Sequence, residues 1–128
     1  MSYYFSKTLD CSLDEAAARV TEALKGQGFG VLTEIDIAKT LKAKIGVDFR
    51  PYRILGACNP KLAYEALSAE DKIGLMLPCN VIVQDVGGGR SEVAAIDPVA
   101  SMMAVDNARL NEAAGLVQGL LRKAIEAA

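Results

Sequence analysis

A chain of 128 residues with 14 basic and 16 acidic side chains, net charge −2, has no electrostatic drive toward nucleic acid or an anionic membrane. Its 52% hydrophobic and 23% charged residues suit one compact domain and argue against disorder. The chain contains no histidine, which removes Ser-His and Cys-His dyads and any His metal ligand of its own.

No apolar run approaches the ~20 residues needed to span a bilayer. The start, Met1-Ser2-Tyr3-Tyr4-Phe5-Ser6-Lys7, lacks a basic segment followed by an apolar one, so no signal peptide is expected. Three cysteines is an odd count. It fits a cytoplasmic chain with reduced thiols better than a disulfide framework.

In chain order, Tyr3 to Leu9 reads as a first strand. Ser12-Leu13-Asp14-Glu15 is a capping box that opens a helix. Leu13, Ala16, Ala17, Val20, Ala23 and Leu24 form its apolar stripe, and Gly26 and Gly28 end it. Phe29 to Ile35 is a second strand, with Val31, Thr33 and Ile35 expected on one face and Leu32, Glu34 and Asp36 on the other. Asp36 caps a short helix from Ile37 to Ile45, whose stripe is Ile37, Leu41 and Ile45. Gly46 stops it.

Tyr52 to Cys58 is a third strand. Asn59-Pro60 then places Asn at the N-cap and Pro at the first helical position of a helix to about Ser68. Ile73 to Asp85 reads as a long apolar strand interrupted by Pro78, which implies an edge or a bulge. Gly87-Gly88-Gly89 is a hairpin turn, and Glu92 to Ile96 the returning strand. Asp97-Pro98 repeats the cap device and opens a short turn through Met103. Asp106 or Asn107 starts a last helix with Leu110, Ala114, Val117, Leu121 and Ala124 or Ile125 on its buried stripe. The hairpin makes an all-parallel sheet unsuitable. The expected fold is α+β: a two-layer sandwich of a mostly antiparallel, curved sheet with its long helices on one face.

Two Cys-Asn pairs stand out, Gly56-Ala57-Cys58-Asn59-Pro60 and Leu77-Pro78-Cys79-Asn80-Val81. Cys58 precedes a helix cap, where the positive end of the helix dipole favours thiolate. The competing reading is a small apolar residue packed against Ala63, and it carries more weight because free cysteine is commonly buried. Cys79 shares strand parity with Leu75, Leu77, Val81 and Val83 and is expected in the core. Asn80 faces the other way, with Met76 and Ile82. Two thiols become one site only if the fold brings them together, and alone they leave a metal short of ligands. Cys11, beside the first helix cap, reads as structural. Arg50 and Arg53 flank Pro51-Tyr52. They suit an anionic ligand, or ion pairs with Glu34, Asp36 or Asp48, and the ion pairs are favoured. Gly26, Gly28 and Gly30 follow a helix and make no dinucleotide fingerprint. Gly87 to Ser91 lacks a phosphate-loop ending.

The run Gly46 to Pro60, together with Gly28 to Asp36, Leu77-Pro78-Cys79-Asn80-Val81 and Ala95-Ile96-Asp97-Pro98, resembles the prokaryotic family called domain of unknown function 302. The resemblance spans nearly the whole chain. It implies a TATA-binding-protein-like α+β arrangement, and it supplies neither an activity nor a catalytic residue. Fold likeness alone does not imply DNA binding.

The expectation is therefore a small cytoplasmic binding domain, a homodimer with no catalytic residue, cofactor, metal, nucleic-acid or membrane partner assigned. Its thiols are Cys58 and Cys79, and its pocket or interface draws on Glu34, Arg50, Arg53, Asn59, Asn80 and Asp97. These polar groups cluster at strand ends and helix starts, where backbone N–H groups are free. Two alternatives stay open: sulfur-transfer, redox or metal chemistry through Cys58 and Cys79, and a purely structural oligomerisation module.

Overall fold

The structure, a computed structural model, describes residues 2–128. Five strands carry the sheet: β1 (Tyr4–Leu9), β2 (Gly30–Asp36), β3 (Tyr52–Cys58), β4 (Cys79–Gly87) and β5 (Arg90–Ile96). Five α-helices accompany them: α1 (Leu13–Gly26), α2 (Ile37–Ile45), α3 (Pro60–Ala69), α4 (Pro98–Ser101) and α5 (Ala108–Ala127). A 3-10 helix, Asp71–Met76, links α3 to β4. The sheet order is β1-β5-β4-β3-β2, and every neighbouring pair is antiparallel.

Local chemistry starts the helices. Ser12 Oγ accepts from the Glu15 amide at 3.2 Å, and Asp36 Oδ1 accepts from the Lys39 amide at 2.9 Å. Asn59 and Asn107 each accept at 3.2 Å from the amide three residues on, Leu62 and Leu110. Each bond satisfies a donor that a helix start would otherwise leave free. The β4–β5 hairpin turns at Gly88 and Gly89, both at positive φ, 65° and 74°. Two consecutive residues there match the twist of the strands they join.

The long helices α1 and α5 lie on one face of the sheet, giving the two-layer α+β sandwich. Val20 and Leu24 of α1 and Leu121 and Ile125 of α5 pack onto Leu55, Val81, Val83 and Val93. Each such side chain contributes about 1.5–3 kcal/mol on burial. A smaller cluster of Ala66, Ile73, Met102, Leu110 and Ala114 fills the space beneath α3 and the 3-10 helix. Lys7 Nζ, on the helix side of β1, donates to Glu126 O and Ala128 O at 2.9 Å each and satisfies carbonyls at the end of α5.

Three expectations change. The run from Ile73 is not one strand: Asp71–Met76 winds into the 3-10 helix and the Leu77–Pro78 peptide is cis, so pairing begins at Cys79. Ile73 goes into the smaller cluster, while Leu75 is 87% exposed instead of sharing a face with Val81. Second, a bulge between Val31 and Thr33 breaks the alternation of β2. Val31 stays on the core side opposite Ala57, and so do Glu34 and Asp36, opposite Leu55 and Arg53. Thr33 and Ile35, opposite Gly56 and Ile54, turn to the open face. An extra residue in one strand reverses the parity of all that follow. Third, α2 buries no residue, so its stripe only rests along β2 and β3.

Candidate functional site

The end of β3 and the start of β4 define the site. Ala57 pairs with Cys79, so the β3–α3 junction at Cys58-Asn59 lies beside the Pro78-Cys79 junction. The two Cys-Asn pairs therefore meet. Cys58 and Cys79 line one cavity of about 40 Å³, closed by Leu62 and Ala66 of α3 on one side and by Met102 and Leu110 on the other. That is several times the ~10–15 Å³ a water requires, but its walls are almost wholly apolar. Cys58 is half-buried, while Cys79 is 9% exposed.

Burial pushes the Cys79 thiol from 9.0 up to about 11, and the neighbouring Cys58 adds to the shift. The same shift keeps Cys79 protonated at neutral pH while the cavity is empty, so it is not a ready nucleophile. All three cysteines are unpaired thiols. Cys11 lies elsewhere: it is buried, its carbonyl accepts from Ser91 Oγ at 3.0 Å, and Arg19 Nη1 approaches its sulfur at 3.8 Å.

Asn59 borders the same cavity but has a structural task. Its Oδ1 caps α3, and its amide nitrogen occupies the space over Gly28 that a Cβ there would enter. Gly56 is fixed by a similar close approach. A Cβ there would overlap Thr33 Oγ1 and come within 2.8 Å of Pro78 Cγ. Only glycine lets the bulged β2 and the Pro78 ring close over β3 together.

The other polar residues do not converge on this cavity. Arg53 projects to the helix side, where its Nη2 bonds Asp14 Oδ1 at the start of α1 and its Nη1 lies 3.6 Å from Glu34 Oε1. The Glu34 pairing follows the ion-pair reading. The Asp14 contact escapes local reading because it joins residues on different elements. Asp97 caps α4, accepting from the Val99 amide at 2.9 Å, and also takes Gln118 Nε2 at 3.1 Å from each oxygen.

Arg50 and Asn80 lie on the opposite, open face of the sheet. They line a trough of about 400 Å³ with Tyr3, Tyr4 and Ile82. Arg50 Nε donates to Gln84 Oε1 at 2.8 Å, and its guanidinium stacks 4.5 Å from the Phe49 ring. Gln84 Nε2 in turn donates to Glu92 Oε1 at 2.8 Å. Sequence reasoning missed Gln84 and Glu92. The alternation Asn80, Ile82, Gln84 was the available signal, since it puts Gln84 on the open face of a hairpin opposite Glu92. Met102 and Leu62 were missed for lack of any local signal, because only the packing of α3 and α4 against α5 brings them to the thiols.

Among the described residues, no group of three or more His, Cys, Asp or Glu gathers to hold a metal, and no helix is long and apolar enough to cross a membrane. A search of curated proteins gives no match. Among solved structures, the chain is similar to an uncharacterized conserved DUF302 protein from Bacillus stearothermophilus. The identity is 27%, 98% of each chain is covered and the TM-score is 0.89. The sequence pattern of the family described as domain of unknown function DUF302 matches residues 5–128. The chain belongs to the DUF302 family, whose name assigns no activity.

Proposed function

We propose that this chain is a small-ligand-binding domain and that its site is the cavity where the β3–α3 and β4 junctions meet. The observation that supports it is the joint placement of Cys58 and Cys79 on one apolar cavity, with Cys58 half-buried and Cys79 buried. Concave, mainly apolar spaces with a few convergent polar groups are where small ligands bind. The walls offer little besides apolar surface, sulfur and the Asn59 amide, so the ligand is compact and is held by apolar contact or by sulfur. Three unpaired thiols fit a reducing compartment, which supports a cytoplasmic location. Sulfur transfer or redox chemistry has less support, since Cys79 stays protonated.

The test is a backbone-amide NMR titration with xenon, which enters dry apolar cavities. Shifts confined to residues such as Leu62, Ala66 and Leu110, abolished by a cavity-filling Ala66→Leu, are expected. No shifts, or shifts centred on the open-face trough, overturn the reading.

A second reading concerns partners: a homodimer formed through the open sheet face. It is supported by the cross-strand row Ile35, Ile54, Ile82 and Ala94, with Ile35 47% and Tyr4 44% exposed. A solvated sheet face ordinarily alternates to polar residues. Sedimentation equilibrium of wild type and Ile82→Lys tests it. A wild-type dimer that becomes monomer in the variant is expected, and an unaffected dimer or a monomeric wild type refutes it.

A further inference from the structure

The apolar cavity carries a sulfur inventory. Cys58, Cys79 and Met102 all line it, and Met102, 6% exposed, shares with Cys79 the adjoining recess beneath the 3-10 helix. The Met102 backbone is fixed as α4 ends, its amide donating to Pro98 O at 3.0 Å. Hard and borderline cations find no donor set, since among the described residues no third His, Cys, Asp or Glu joins the two thiols. Zinc prefers four nitrogen or sulfur ligands in a tetrahedron, whereas thiolate and thioether donors select Cu(I). A pair of thiolates on one monovalent cation leaves a net negative charge. The N-terminus of the ten-residue α3, which begins two residues after Cys58, presents the positive end of its dipole there.

Resting on the ligand-cavity reading, we propose that the cavity binds one soft monovalent cation, Cu(I), through the sulfurs of Cys58 and Cys79 with Met102 as third donor. Binding breaks two S–H bonds, forms two metal–sulfur bonds and releases two protons to solvent. No atom changes oxidation state. Half-buried Cys58 is the more accessible donor, and Met102, 6% exposed, is a buried one.

The test is anaerobic competition for Cu(I) between the reduced full chain and the chromogenic chelator bicinchoninate. The expected result is one Cu(I) withdrawn per chain, with no displacement by Zn(II). Cys58→Ser and Cys79→Ser each lower affinity by at least about 100-fold, the top of the range for losing an outer-shell partner, and Met102→Leu lowers it by about 10-fold. Cys11→Ser leaves it unchanged. Cys79→Ala accompanies Cys79→Ser, with thermal melts of both, so that lost folding is separated from a lost ligand. The proposal is overturned if no Cu(I) is withdrawn, if Cys11→Ser loses as much as Cys79→Ser, or if a folded Cys79 variant binds like wild type. Xenon shifts that persist in a chain withdrawing no Cu(I) would remove the metal and keep the ligand cavity.

Discussion

Replacing Gly56 with alanine adds one carbon at the tightest point of the sheet. Its Cβ would overlap Thr33 Oγ1 on the bulged β2 and stand 2.8 Å from Pro78 Cγ. Thr33 can relieve its share by rotating, because it lies on the exposed edge strand. The Pro78 ring is rigid and sits one residue before β4 begins. Overpacking of this kind costs about 1–3 kcal/mol, and the split between a yielding and a rigid neighbour argues for about 2 kcal/mol. For a domain of this length that is a fall in Tm on the order of 5–10 °C. Urea denaturation is the assay, and a lower midpoint with an unchanged m-value is expected. Thr33→Ala in the Gly56→Ala background should recover about 1 kcal/mol, a coupling typical of residues in contact. A Gly56→Ala variant within about 0.5 kcal/mol of wild type would refute the reasoning, as would strictly additive effects of the two substitutions.

Three further outcomes follow from individual contacts. The folded state holds the Cys79 proton more tightly than the unfolded state, since burial raises the thiol from 9.0 to about 11. Its contribution, on the order of 2–3 kcal/mol, is thus fully present below about pH 9 and lost as pH rises through about 11. Wild type should lose stability more steeply across that window than Cys79→Ala, and parallel pH profiles would contradict the buried thiol. Arg53→Ala removes the pairs with Asp14 and Glu34, whose carboxylates are largely exposed. The cost should be only about 0.5–1 kcal/mol and should shrink in high salt; a salt-independent loss above about 2 kcal/mol would mean the pairs are desolvated. Asp97→Ala takes away the α4 cap and the Gln118 anchor together. About 1–2 kcal/mol is expected on thermal melting, and Asp97→Asn should recover most of it, because asparagine caps as well as aspartate. An asparagine variant as unstable as the alanine one would argue against the cap.

What was legible in the sequence was local. Ser12, Asp36, Asn59 and Asn107 announce helix starts through side chains that reach the amide three residues on, and all four cap as expected. The Gly87–Gly89 turn fixed the hairpin, and the hairpin fixed an antiparallel sheet. The bulge at Val31/Thr33 was illegible because no glycine or proline marks it. Its partner lies across the sheet, where Thr33 comes close over Gly56. The 3-10 helix was mistaken for strand because a short apolar run has no period to separate the two. The site shows the same division. Both cysteines were visible as a motif, but their meeting depends on the Ala57–Cys79 register. Arg50, Arg53 and Asp97 were visible as charges, and the fold sends them to three different places.

The central claim, that the space between Cys58 and Cys79 admits a guest, is tested most directly by a crystal of the full chain pressurised with xenon. The account predicts an anomalous peak inside the cavity bounded by Leu62, Ala66 and Met102. A peak only in the open-face trough between Tyr4 and Arg50, or none at all, would contradict it.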